Sequence, residues 1–278
     1  VKADAAPFSD ADLSYLIRVL VPGCQDRERM VRALREDEEI LEGMLNDQRL
    51  FKALMEDPES VMQVSPRLFF SVLLNRVKAT LKQSSYTIEK QAGVHLAVFD
   101  SGKVYRFVDN RTIRNYLADM LCSFVHINSF SIPVRVRKGV WRRYRFSDFD
   151  VDSMLRYSET LSEMRRYPTY KRIADICLFT MGIFPERTAG RGVRRSPSAG
   201  ITLPLAQKGE ADLESCGRQF YRMAAEHAKL LEQAAGLEET IDTLLSLSEN
   251  FALAVKPLTV MAQSYLEPFK DELFLQKE

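Results

Sequence analysis

The chain has 278 residues, 46% of them hydrophobic and 28% charged, the balance of an ordinary globular protein able to form one or two cored domains. It has neither a signal-peptide pattern nor an apolar run of membrane length, so no membrane partner is expected and the cytoplasm is the expected location. The formal net charge of +1 conceals a polarity, because residues 1–60 carry eight Lys/Arg against fourteen Asp/Glu, residues 213–278 six against eleven, and residues 103–147 ten against two. A middle of that sign either binds something acidic or is covered by the chain's own acidic ends.

Residues 9–21 read as a first helix, capped by Ser9, faced by Leu13, Leu16, Ile17 and Leu20, and ended by Pro22-Gly23. Short acidic helices follow over 25–57. Their net negative charge argues against a DNA-reading helix-turn-helix, since phosphate neutralisation supplies most nonspecific affinity. Pro66 suits the first turn of a stronger helix reaching about Gln83. The period then shortens. Val94–Phe99 and Lys103–Val108 flank Asp100-Ser101-Gly102, which predicts a β-hairpin over 94–108. Asn110 is placed to cap a helix from Thr112 to about Val125.

A second hairpin is predicted over 132–146, IPVRVRKGVWRRYRF, turning at Lys138-Gly139. Beyond it, Val151, Met154, Tyr157, Leu161 and Met164 form a helical stripe behind Asp148, Asp150 and Asp152, and Tyr167-Pro168 marks a boundary. The next helix, from Thr169 to Phe184, is apolar nearly all round from Ile173 onward, which marks it as the buried centre of the fold. Residues 186–209 hold six Gly and Pro with little periodicity, together with Arg187, Arg191, Arg194, Arg195 and a Ser196-Pro197 step. They read as a basic linker or functional loop. After it, two periodic runs separated by Gly236 predict a helical hairpin over 210–278, with Pro257 expected to kink or break the second arm. The expected fold is therefore mainly α, an irregular multi-helix bundle with one or two small β-hairpins. Its main body would be residues 1–185, with the C-terminal hairpin packed on it.

Chemistry-bearing motifs are scarce. No phosphate-cradling glycine loop, dinucleotide fingerprint, nucleophile elbow or zinc-protease helix is present. The three histidines are preceded at Glu-x-x-His spacing by Ala92, Ser123 and Ala224, which rules out the usual di-iron bundle site. Four dispersed cysteines with no C-x-x-C pair read as free thiols in a reducing compartment. No metal and no cofactor are expected. His227, beside Glu226 and about two turns from Tyr221, is the one side chain from which acid–base chemistry is conceivable. A core histidine satisfied by a neighbour is the plainer account.

The strongest local signal is the second hairpin. Arg135, Arg137, Lys138, Arg142, Arg143 and Arg145 interleave with Trp141, Tyr144 and Phe146, and no acid lies between Ile132 and Phe146. Guanidinium forks suit phosphates and aromatic rings suit bases, the pairing found on nucleic-acid-binding surfaces. The alternative is a ribbon that is simply solvated, or covered by the acidic helices.

Two segments, YKRIADICLFTMGIFPE (Tyr170 to Glu186) and QFYRMAAEH (Gln219 to His227), resemble segments of an uncharacterised family of helical bacterial proteins. The resemblance covers about a tenth of the chain. It implies that the two segments belong to one fold, and it transfers no activity. The leading expectation is a non-enzymatic interaction or regulatory protein with an unknown protein partner. Nucleic-acid binding through residues 134–145 is the alternative, and an enzyme built on His227 comes third.

Overall fold

The computed structural model describes residues 8–56, 58–91, 94–137, 139–188, 210–267, 270–274 and 276–277, and the fold is mainly α. The chain opens with α1 (Asp10–Leu20), α2 (Arg27–Glu36), α3 (Glu38–Leu45), α4 (Gln48–Glu56) and α5 (Pro58–Met62). Ser9 caps α1 in a reciprocal box with Asp12. The buried Asp12 carboxylate also accepts the backbone N–H of Ser65 at 2.8 Å, tying the start of α1 to the start of α6 (Pro66–Gln83). Helix α6 is a wall with a core on each side. Leu68 and Val72 face Leu13, Leu16, Ile17, Leu34, Leu50 and Leu54 of the N-terminal helices. Phe69, Phe70, Leu73, Val77 and Leu81 face the larger core.

The first hairpin is displaced from its predicted place. Its strands are β1 (Thr87–Gln91) and β2 (Val94–Val98), antiparallel with Thr87 opposite Val98, and residues 103–108 are not a strand. They lie in α7 (Ser101–Asp109), which begins where Asp100 accepts the N–H groups of Lys103 and Val104. Val104 and Val108, one turn apart, are both fully buried. The helix packs between α6 and a later helix, and tertiary burial of that stripe overrides the β preference of Val, Tyr and Phe.

Asn110 caps α8 (Arg111–Cys122) as expected. There follow β3 (His126–Ile127), β4 (Ser129–Arg137) and β5 (Val140–Ser147), then α9 (Val151–Glu159). Helix α9 is shorter than its apolar stripe suggests. The backbone leaves it at Thr160, a 3₁₀ turn spans Glu163–Arg165, and Met164 is exposed. Helix α10 (Tyr167–Ile183) is the centre, buried on every side from Ile173 to Ile183, with Lys171 and Arg172 only partly buried ahead of that stretch. Phe179 is wholly enclosed, stacked on Phe124 with ring centres 4.2 Å apart and edge-on to Phe149, Phe184 and Phe274.

The short α11 (Pro185–Thr188) is followed, after residues outside the description, by α12 (Glu210–Ala235), α13 (Glu238–Glu249) and α14 (Phe251–Met261). The two segments with the family resemblance are thus in α10 and α12, which pack against each other along their length. Pro257 does not end its helix, which runs through it from Phe251 to Met261; the break falls at Asn250, ahead of it. Burial of Ala254, Leu258 and Met261 offsets the roughly 3 kcal/mol that an interior proline costs. A π-helical turn (Ala262–Leu266), α15 (Lys270–Leu273) and β6 (Gln276–Lys277), which pairs in parallel with β3, close the chain.

Candidate functional site

Strands β4 and β5 form a two-stranded antiparallel ribbon, Phe130 opposite Phe146 at its root and Arg135 opposite Trp141 near its tip. The expected turn is present: Gly139 has a φ of +78°, where a side chain would be strained. Lys138, beside it, lies outside the described residues. A bulge between Arg135 and Arg137 adds twist near the tip. Pro133, which has no N–H, and the arginines of β5 discourage sheet growth at the ribbon's two edges.

Three sets of contacts hold the root. Phe130 and Phe146 stack at 5.8 Å, and both pack on Tyr157 of α9, at 5.0 and 5.4 Å. Asp148 closes the base of the ribbon, its N–H donating to the Asn128 carbonyl and its carboxylate accepting the Asn128 N–H. Arg172 of α10 then reaches across. It donates to the Asp148 carbonyl and carboxylate, to the Ser123 carbonyl and hydroxyl, and lies 3.9 Å above the Phe124 ring. The root is fixed and the outer part is bare.

Arg137, Arg142, Arg143 and Arg145 are exposed, as are Tyr144 and, at 61%, Trp141. None of these four arginines makes an ion pair among the described residues. Of the two plainer outcomes, a solvated or an acid-covered ribbon, the described residues form the solvated one. Three of the N-terminal acids are engaged elsewhere: Glu38 with Arg111 at 2.7 Å, Glu42 with Arg114 and Lys78, Asp10 with Arg35. The acidic N-terminal region does meet basic residues of the middle, but on α8, whose arginines sit in the body of the fold.

The basic segment 189–209 lies outside the described residues, and with it Arg191, Arg194, Arg195 and Ser196-Pro197. His227 is half-buried on α12. Its Nδ1 is 2.9 Å from the Glu163 carbonyl, and its ring meets the edge of Tyr170. Tyr221, its supposed partner, turns inward to Asp175. The two side chains are committed to different groups, so the described residues do not bring His227 and Tyr221 together. Burial pushes the Cys122 thiol up to about 12, so it stays protonated and unreactive near neutrality.

Sequence reasoning missed one polar cluster. Asp175, almost fully buried in the apolar α10, accepts the hydroxyls of Tyr116 at 2.6 Å and Tyr221 at 2.8 Å on one oxygen. Its other oxygen accepts Lys171 Nζ at 2.7 Å, and that ammonium lies 4.6 Å from the Tyr116 ring centre. Burial and the adjacent Asp175 charge raise both tyrosines well above their ordinary range. The only signal in the sequence was a Lys–Asp pair four residues apart on a helix otherwise without a polar face. Every polar atom in the cluster is answered by a neighbour, so it reads as a joint between α8, α10 and α12.

Among the described residues, no group of three or more His, Cys, Asp or Glu is placed to hold a metal ion. No helix there is long and apolar enough to cross a membrane. Comparison with protein-family models, curated proteins and solved structures gives no match.

Proposed function

We propose that this chain is a non-enzymatic binding protein whose contact element is the β4–β5 ribbon and whose ligand is nucleic acid. The observation that carries the reading is exposure without pairing: four arginines and two large aromatics project from a fixed root, with no acid among the described residues set against them. A protein that needed these arginines only for stability would bury or pair them, as it does with Arg114 and Arg172. Exposed guanidinium groups release counterions from a phosphate backbone on contact, and aromatic rings between them supply stacking. The cysteines form no disulfide among the described residues and Cys177 is fully enclosed, which suits a reducing cytoplasm.

The test is direct. Titration of the purified chain into a fluorescently labelled oligonucleotide should raise its anisotropy at low ionic strength, and the binding should weaken steeply as salt is added. No binding to single- or double-stranded nucleic acid at low salt would contradict the proposal. Capture of an acidic protein through the same arginines would then favour the interaction-protein reading instead.

A further inference from the structure

We infer that the outward face of β5, carrying Trp141, Arg143 and Arg145, is a track for single-stranded nucleic acid, and that the opposite face is not; this rests on the nucleic-acid reading of the ribbon. Strand alternation puts these three residues on one face and Val140, Arg142, Tyr144 and Phe146 on the other. The root decides which face looks outward. Phe146 and its partner Phe130 lie on Tyr157 of α9, so the even-numbered face is laid toward the body and the odd-numbered face turns away from it.

Opposite Arg143 and Arg145 across the ladder stand Pro133 and Ser131, both exposed, both short and neither charged. Nothing long covers the two guanidinium groups from that side. Residues two apart on a strand are about 6.7 Å apart along it, a step like that between successive phosphates of an extended single strand. Trp141 continues the same row by one more step. A stacking ring needs the flat face of a base, which a duplex keeps against its neighbours and a single strand offers freely. A two-stranded ribbon can also enter the major groove of a duplex. Both faces would then meet the groove, and Arg142 and Tyr144 would matter as much as Arg143 and Trp141.

Trp141 is the only tryptophan in the chain, so its emission reports on this spot alone. The whole chain is titrated with an oligothymidylate and, separately, with a blunt duplex of equal charge. The single strand should quench the emission to saturation and bind more tightly than the duplex. Trp141→Ala should weaken binding to labelled oligothymidylate about 5- to 150-fold with little change in salt dependence. The pair Arg143→Gln/Arg145→Gln should flatten the log–log salt slope by about 1.4. The pair Arg142→Gln/Tyr144→Ala, which removes the same kinds of group from the other face, should leave the quench intact and change the slope by less than half as much. All these positions are exposed, and thermal melting of each variant confirms that it is folded. Equal losses from the two faces, or tighter duplex binding with unmoved emission, would overturn the inference and leave the ribbon reading standing. An emission shift with phosphatidylserine vesicles, and no binding to either nucleic acid, would overturn both.

Discussion

At the scale of single residues, the fold depends on a few enclosed side chains. Phe179 touches four other phenylalanines and has no exposed surface. Phe179→Ala should cost about 3–5 kcal/mol by urea denaturation, the usual price of a large core truncation; a loss below about 1 kcal/mol would mean that the aromatic cluster is not the centre. Asp175 and its two tyrosines make a second prediction, in pH. Both tyrosines ionise less readily in the folded protein, because of burial first and the Asp175 charge second. Groups with a raised folded pKa stabilise fully below their unfolded value, about 10 for tyrosine, and that contribution is lost as pH rises toward the folded value. Denaturation midpoints should therefore hold steady up to about pH 10 and fall beyond it. Tyr221→Phe should start lower, by about 1–3 kcal/mol for a hydrogen bond to a charged acceptor, and fall less steeply. An alkaline decline as steep as that of the wild type would show that Tyr221 takes no part in it.

At the scale of elements, two close fits set how the parts sit. Gly217 of α12 has no room for a side chain, because an added Cβ would overlap the Phe251 ring at the start of α14. Gly217→Ala gains helix propensity but forces α12 and α14 apart. A net loss of about 1–3 kcal/mol is expected, as for overpacking elsewhere; a more stable variant would show that the helices slide freely. The ribbon depends on Arg172 in a similar way. With Arg172→Met, the Asp148 and Ser123 carbonyls lose their donor, and backbone hydrogen exchange should quicken over Ser129–Ser147 while α10 stays protected. Uniform quickening throughout would show that Arg172 supports the whole core and not the ribbon root.

At the scale of the molecule, the sequence made some features plain and concealed others for physical reasons. The all-round apolar run of α10 is legible because only burial tolerates such a helix, and the caps at Ser9 and Asn110 follow from local chemistry. The helix at 101–109 is not legible, because Val-Tyr-Arg-Phe-Val alternates well enough for a strand and only packing against α6 and α14 decides between the two. Likewise the cations and aromatics of the basic ribbon stand out by composition, yet whether acids cover them is a question of long-range pairing. The answer lies in Glu38 and Glu42 choosing Arg111 and Arg114.

That choice leaves the ribbon's charge free, and the salt dependence of nucleic-acid affinity tests the consequence most directly. Wild type and Arg142→Gln/Arg143→Gln/Arg145→Gln, matched for thermal stability, are titrated against the same single strand at several salt concentrations. The account predicts a steep fall in wild-type affinity with salt and a log–log slope flatter by at least about 1.4 in the variant, about 0.7 for each of the phosphate contacts of Arg143 and Arg145. Identical slopes for the two proteins, or no wild-type binding at the lowest salt, would contradict it.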